Sequence, residues 1–221
     1  MGTLYQSPAK SSTPKIIQDL KIIIHETITI FPSRRLKNGQ CSCRNIDQVL
    51  NFNMKTVHFF IRDPQFPPQV VLEKLKCALS EALVAYDFLA GRLRMNPDSQ
   101  RLEIDCNGAG AQLVVGSSEF ELVEISDLVY PNPGSVKLVP KCYNDLAIHD
   151  RPLCIFQLTS FKCGGFAIGV ATNHVIFDGI SFKTFLENLA SLADNKPLAS
   201  RHHPVSQSPP PRSKITTADQ V

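Results

Sequence analysis

The stretch "NHVIFDGISF", residues 173–182, sets His174 four residues before Asp178, with Gly179 next. A histidine titrates near neutral pH and can take a proton from a hydroxyl as that oxygen attacks an electrophile. A carboxylate close by can hold its geometry. The same residues also suit a plain structural role. Asp178 is a good helix N-cap, since its carboxylate accepts the first free N–H groups and favours the positive helix end. His174 is then a satisfied core histidine, and on local pattern alone both readings stand. A metal pair at this spacing needs one continuous helix, and the strand-like residues before His174 argue against one.

The elements that must hold this stretch are legible on both sides. "GFAIGVATNH" reads as a strand with Phe166, Ile168, Val170 and Thr172 on one face. Gly165, Ala167, Gly169 and Ala171 line the other, and a face of only Gly and Ala lets something approach the backbone closely. "PLCIFQLTSF" precedes it as a second strand, joined by the hairpin turn "KCGG". A helix follows from about Ile180 to Ala193, with Phe182, Phe185, Leu186, Leu189 and Ala193 as its buried stripe.

Upstream, "KIIIHETITIF" alternates, which places Ile22, Ile24, Ile28 and Ile30 on one face of a strand. Residues 32–46 read as loop, and "KTVHFFI" from Lys55 as a strand. After "DPQFPPQ" a helix begins near Gln69. Leu72, Leu75, Leu79, Ala82, Leu83 and Tyr86 recur along it, and Gly91 is its expected stop. "RLEIDC" and "AQLVVG" flank "NGAG" as a hairpin, "FELVEI" reads as a further strand, and "SDLVYPNPGSVKLVPK" as loop. The pattern predicts an α/β, two-layer arrangement of a mixed sheet with helices over residues 20–195. Residues 1–19 read as a flexible lead, and residues 196–221, rich in Pro and Ser, as a linker or tail.

Composition narrows the function classes. The chain has 221 residues, 43 % hydrophobic and 19 % charged, which suits a globular domain. A net charge of +3, with no basic run interleaved with aromatics, predicts no nucleic-acid partner. Seven scattered cysteines fit a reducing compartment. The only close pair, Cys41 and Cys43, is a poor metal signal, and His202–His203 reads as tail, so no metal is expected. No apolar run approaches the ~20 residues of a membrane span. The polar start lacks a secretory signal, and Gln6 stands where a myristoylation motif wants Ser or Thr, so the cytosol is expected. Neither a G-x-S-x-G elbow nor a phosphate-binding G-x-x-x-x-G-K-[ST] loop occurs, which turns attention from hydrolase and nucleotide chemistry.

With these segments in order, the chain resembles the plant BAHD acyl-CoA-dependent acyltransferases. "NHVIFDG" is similar to their H-x-x-x-D-G motif. "RNIDQVLNF", "YDFLAGRLR", "LEIDCNGAGAQLVV", "DLVYPNP", "PLCIFQLTSFKCGGFAIGVATNH" and "SFKTFLENLASLADNKPLA" resemble the family at matching places, over about residues 20–199. The wording is most similar to the branch of ω-hydroxypalmitate O-feruloyl and fatty alcohol caffeoyl transferases, of suberin, cutin and wax. The resemblance implies the N-terminal domain of the chloramphenicol acetyltransferase-like fold, with two such domains around a solvent channel. It implies His174 as general base, and acyl-CoA as co-substrate with an alcohol acceptor and no permanently bound cofactor. It also implies that Asp178 is structural, paired with an arginine of the second domain, and that Gly179 relieves crowding beside the histidine loop. The family's second domain carries a D-F-G-W-G motif, absent from this tryptophan-free chain. After Ala199 the sequence leaves the family's linker pattern. The expectation is a half that self-associates, where the family is usually monomeric, and that is weakly active or inactive alone. The open alternative is a non-catalytic, partner-binding fragment.

Overall fold

The computed structural model describes residues 20–35, 40–42, 51–125 and 133–198. The expected lead, and the tail from residue 199 onward, lie outside the described residues.

Strands β1 (Ile23–Ile30), β3 (Asn53–Phe60), β6 (Ala111–Ser118), β7 (Cys154–Phe161) and β8 (Phe166–Asn173) form a five-stranded sheet in the order β1-β6-β7-β8-β3. Only the β6–β7 pair is parallel. Strands β2 (Gln40–Ser42), β4 (Arg92–Met95) and β5 (Leu102–Asp105) form a small antiparallel sheet in the order β2-β5-β4. Helices α1 (Pro68–Ala85) and α3 (Gly179–Ala193) lie side by side on one face of the large sheet. Their stripes, including Leu75, Leu79, Leu83, Phe185 and Leu189, close over Phe156 and Val170. Each such fully buried side chain contributes about 1.5–3 kcal/mol by leaving water. The other face is covered by the short helical turn α2 (Leu122–Ile125) and a 3-10 turn over Pro133–Leu138, through Ile125, Leu138, Phe161 and Ala167.

The α/β expectation, the β7–β8 hairpin and both long helices are observed. α1 starts on Pro67 and Pro68, whose missing N–H groups cost nothing in a first turn. Several expectations are corrected. "NGAG" is not a hairpin turn: β5 pairs with β4 and β2, while β6 joins the other sheet between β1 and β7. The buried Arg92 holds that crossing, donating to the carbonyls of Gly91 and Gly110 at 2.8 Å each. Gly91 does not stop α1, which ends at Ala85. Gly91 instead marks a close approach, because a Cβ there meets the Asp105 carbonyl at 2.6 Å. "FELVEI" holds one helical turn, not a strand. The 32–46 loop contains β2, and β4 lies after a 3-10 turn where no strand was expected. Finally, β1 does not keep one apolar face. An irregularity between Ile24 and Glu26 shifts its register, so Ile28 packs under the helices while Ile22 joins the opposite layer and Ile24 is exposed.

β8 shows what approaches its bare face. A Cβ on Gly169 meets the Leu138 carbonyl oxygen at 2.0 Å, so the chain's own 138–139 backbone lies directly on the strand. This strand leads to His174.

Candidate active site at the end of β8

Main-chain geometry fixes the turn after β8. Asn173 pairs with Asn53 across the β3–β8 ladder, and its N–H donates to the Leu153 carbonyl at 3.1 Å. The next N–H, of His174, donates to the Phe52 carbonyl at 2.8 Å. The chain then folds back: the Ile176 N–H donates to the Asn173 carbonyl at 3.2 Å. The Asn173 side chain adds two bonds. Its oxygen accepts from the Val175 N–H, and its amide nitrogen donates to Asn51 Oδ1, both at 2.9 Å.

Side chains alternate along the turn. His174 is half-buried, while Val175 and Phe177 are buried and Asp178 is exposed. Phe177 sits among Tyr86, Phe88, Phe182 and Phe185, with ring centroids 5.2–6.4 Å away. Under this aromatic cluster the buried Asn188 donates to Tyr86 Oη at 2.6 Å. The two core anchors hold the backbone between His174 and Asp178 and leave the imidazole at the rim. Its centroid lies 4.9 Å from the Phe52 ring. Nδ1 is enclosed and has no hydrogen-bond partner among the described residues, none of whose carboxylates orients the ring through that atom.

Asp178 is the N-cap of α3. Its carboxylate accepts from the Ser181 N–H at 2.7 Å. That bond holds its pKa below the usual carboxylate range, and the nearby His174 acts in the same direction as a smaller cause. Among the described residues the observed work of Asp178 is capping. Gly179 opens α3, and a Cβ there meets nothing within 4 Å. Among the described residues nothing presses on Gly179.

Of two cavities in the domain, one adjoins the Asn173 end and one lies toward the far end of β3, and His174 lines neither. One, of about 670 Å³, is apolar and lies between the β3 edge, α1 and α3, among Phe60, Ile61, Phe66, Leu75, Ile168 and Leu189. The other, of about 360 Å³, is polar, at the Asn51–Asn53 and Asn173 end, with Lys55, Tyr143 and Arg151. No cluster of three or more metal-ligating side chains occurs among the described residues, and none of their helices is long and apolar enough to cross a membrane.

The structure thus brings His174 and Asp178 to one junction without joining them. Motif reading missed Asn51, Phe52 and Phe177. The signal for Phe177 was present, since "VIF" puts apolar side chains where a loop expects polar ones. Asn51 is a pairing across distant strands, which no local pattern carries.

Comparison with known proteins agrees. The profile described as the Transferase family matches residues 20–210. Acyltransferase GLAUCE of Arabidopsis thaliana is 52 % identical over 90 % of this chain and 44 % of its own length. Omega-hydroxypalmitate O-feruloyl transferase of the same plant is 31 % identical, over 82 % of this chain and 39 % of its own. The feruloyl branch is therefore not the nearer of these two. The chain spans less than half the length of these relatives. In structure it superposes on Vinorine Synthase with a TM-score of 0.70 at 23 % identity, covering 84 % of this chain and 46 % of that one. That likeness bears out the chloramphenicol acetyltransferase-like fold, over one half of it. The chain belongs to the Transferase family, that of the plant BAHD acyltransferases.

Proposed function

We propose that this chain supplies the general-base half of an acyl-CoA-dependent O-acyltransferase. His174 takes the proton of an acceptor hydroxyl as its oxygen attacks the thioester carbonyl. The tetrahedral intermediate then breaks its C–S bond, and the departing CoA thiolate takes the proton back from the imidazolium. No covalent acyl-enzyme is needed, because holding both substrates together does that work. The observation that carries this reading is a half-exposed imidazole on a turn pinned by the His174 N–H to Phe52 and by two buried apolar anchors. Asp178 and Gly179 support the junction by starting α3.

For the donor we propose a hydroxycinnamoyl-CoA such as feruloyl-CoA, with the cytosol as the place of reaction. The feruloyl transferase among the relatives supports this choice, and the nearer match to GLAUCE leaves the acceptor open between alcohols. The chain alone is weakly active or inactive, since it spans less than half of its relatives. One observation favours a partner-binding role beside the catalytic one. Strand β3 is a sheet edge above the apolar 670 Å³ groove, and Phe60 and Ile61 are exposed beside it, so this face fits self-association or a complementing chain.

The test is free-thiol release from feruloyl-CoA with a long-chain alcohol. The chain alone gives a rate near background. Supplying the C-terminal portion of a relative as a separate chain raises it, and His174→Ala abolishes the gain. Turnover that survives His174→Ala contradicts the base assignment, and robust turnover by the chain alone contradicts the need for a second half.

A further inference from the structure

We infer that the Asn173–Asn51 amide pair is the positioning device of His174, a role that lies outside the H-x-x-x-D-G motif. The inference deepens the general-base reading and rests on it.

Both ends of the Asn173 amide are occupied, and the residue is 9 % exposed. Its oxygen receives the N–H of Val175, the residue after His174. Its nitrogen reaches Asn51, the residue before Phe52. Phe52 in turn supplies the carbonyl that receives the His174 N–H and the ring beside the imidazole. The amide pair therefore ties together the two short segments that touch His174. Among the described residues it is the side-chain link that adds to the main-chain bond from the His174 N–H to the Phe52 carbonyl and to the Asn53–Asn173 ladder pair. The enclosed Nδ1 has no partner among the described residues to orient the ring, and Asp178 is engaged with Ser181 on the far side of the turn.

The polarity of the pair is forced, which gives the proposal a distinctive test. The Val175 N–H requires an oxygen from residue 173. The remaining nitrogen must then meet an oxygen from residue 51. Asn173→Asp keeps the first bond, and Asn51 restores the second by rotating its amide to donate. Asn51→Asp still accepts from Asn173. The double variant sets two carboxylates against each other and loses the link. Asn173→Ala loses both bonds and leaves the Val175 N–H unpaired, a cost that alanine cannot offset.

The experiment reads the imidazole carbon–proton signals of the full chain labelled at histidine, with His174 assigned by the signal lost in His174→Ala. The wild-type signal carries the ring-current displacement from Phe52. We expect each single Asp variant to retain it. We expect Asn173→Ala, Asn51→Ala and the double Asp variant to move it to the position of exposed histidines, with the core methyl signals unchanged. Asn51 lies at the surface, so Asn51→Ala leaves the core intact and decides the matter if Asn173→Ala fails to fold. An unmoved signal in Asn51→Ala overturns the proposal, as does loss of the signal in the single Asp variants. In the complemented thiol-release assay, the disruptive variants lower kcat by about a hundredfold with KM little changed, the cost of a misplaced base. A signal that moves as stated, with no turnover in any form, upholds the positioning and removes the acyltransferase reading instead.

Discussion

His174 has two flanks, and they are built differently. On the strand side, Asn173 is buried, hydrogen-bonded through its main chain and both ends of its amide, and backed by a β-ladder whose other face touches the 138–139 backbone. On the helix side, Asp178 is exposed and accepts the Ser181 N–H cap bond at the mouth of α3, while a Cβ on Gly179 would meet open space. The difference teaches that the carboxylate of the motif and the placing of the histidine are separate matters in this chain. The aspartate starts a helix. The strand end, with a residue that the motif does not specify, sets the imidazole.

The strand flank offers the largest effect. Gly169→Val drives a branched side chain into the Leu138 carbonyl and the backbone of residues 138–139, which cannot yield as a side chain would. The expected loss is at least about 4–5 kcal/mol, in the exceptional range for one substitution, read as a collapsed urea midpoint. A near-wild-type midpoint breaks the claim that this side is rigid.

The helix flank gives a smaller effect. Asp178→Ala removes an N-cap and costs about 1 kcal/mol. The same residue carries a pH signature. Its folded pKa is lowered, so its contribution is present above its ordinary value near pH 4 and is lost as pH falls through the lower folded value. Unfolding midpoints compared between wild type and Asp178→Ala should converge toward the acid end of that window. A difference that persists there contradicts the cap assignment. The smallest effect belongs to Gly179→Ala, at most about 0.5 kcal/mol either way, since the added methyl enters open space. A loss well beyond that restores the crowding implied by the family resemblance and sharpens where it arises.

Much of this was legible in the sequence. The apolar runs "PLCIFQLTSF" and "GFAIGVATNH" read as strands and the stripe from Phe182 as a helix, and the structure keeps all three, with both strands buried on both faces. Asp178 as a cap is local chemistry, so local pattern found it. What escaped reading depends on distant partners. The "NGAG" segment has turn residues, but which strand it feeds is decided by sheet pairing and by Arg92, not by the turn. The Gly-and-Ala face of β8 announced a close approach without saying that the chain's own backbone makes it. Asn51 and Asn173 lie 122 positions apart, and only the β3–β8 register brings them together.

Amide hydrogen exchange reads the two flanks most directly, residue by residue and without any substrate. The His174 and Val175 N–H groups are bonded into the strand end, and the Ser181 N–H is bonded to an exposed carboxylate. Opening of an exposed cap costs little free energy, whereas the strand end opens only with its ladder. We predict protection at His174 and Val175 about a hundredfold or more above that at Ser181, with Asp178→Ala speeding Ser181 alone. Exchange at His174 as fast as at Ser181, or accelerated as much by Asp178→Ala, contradicts the account and returns the placing of the histidine to the aspartate.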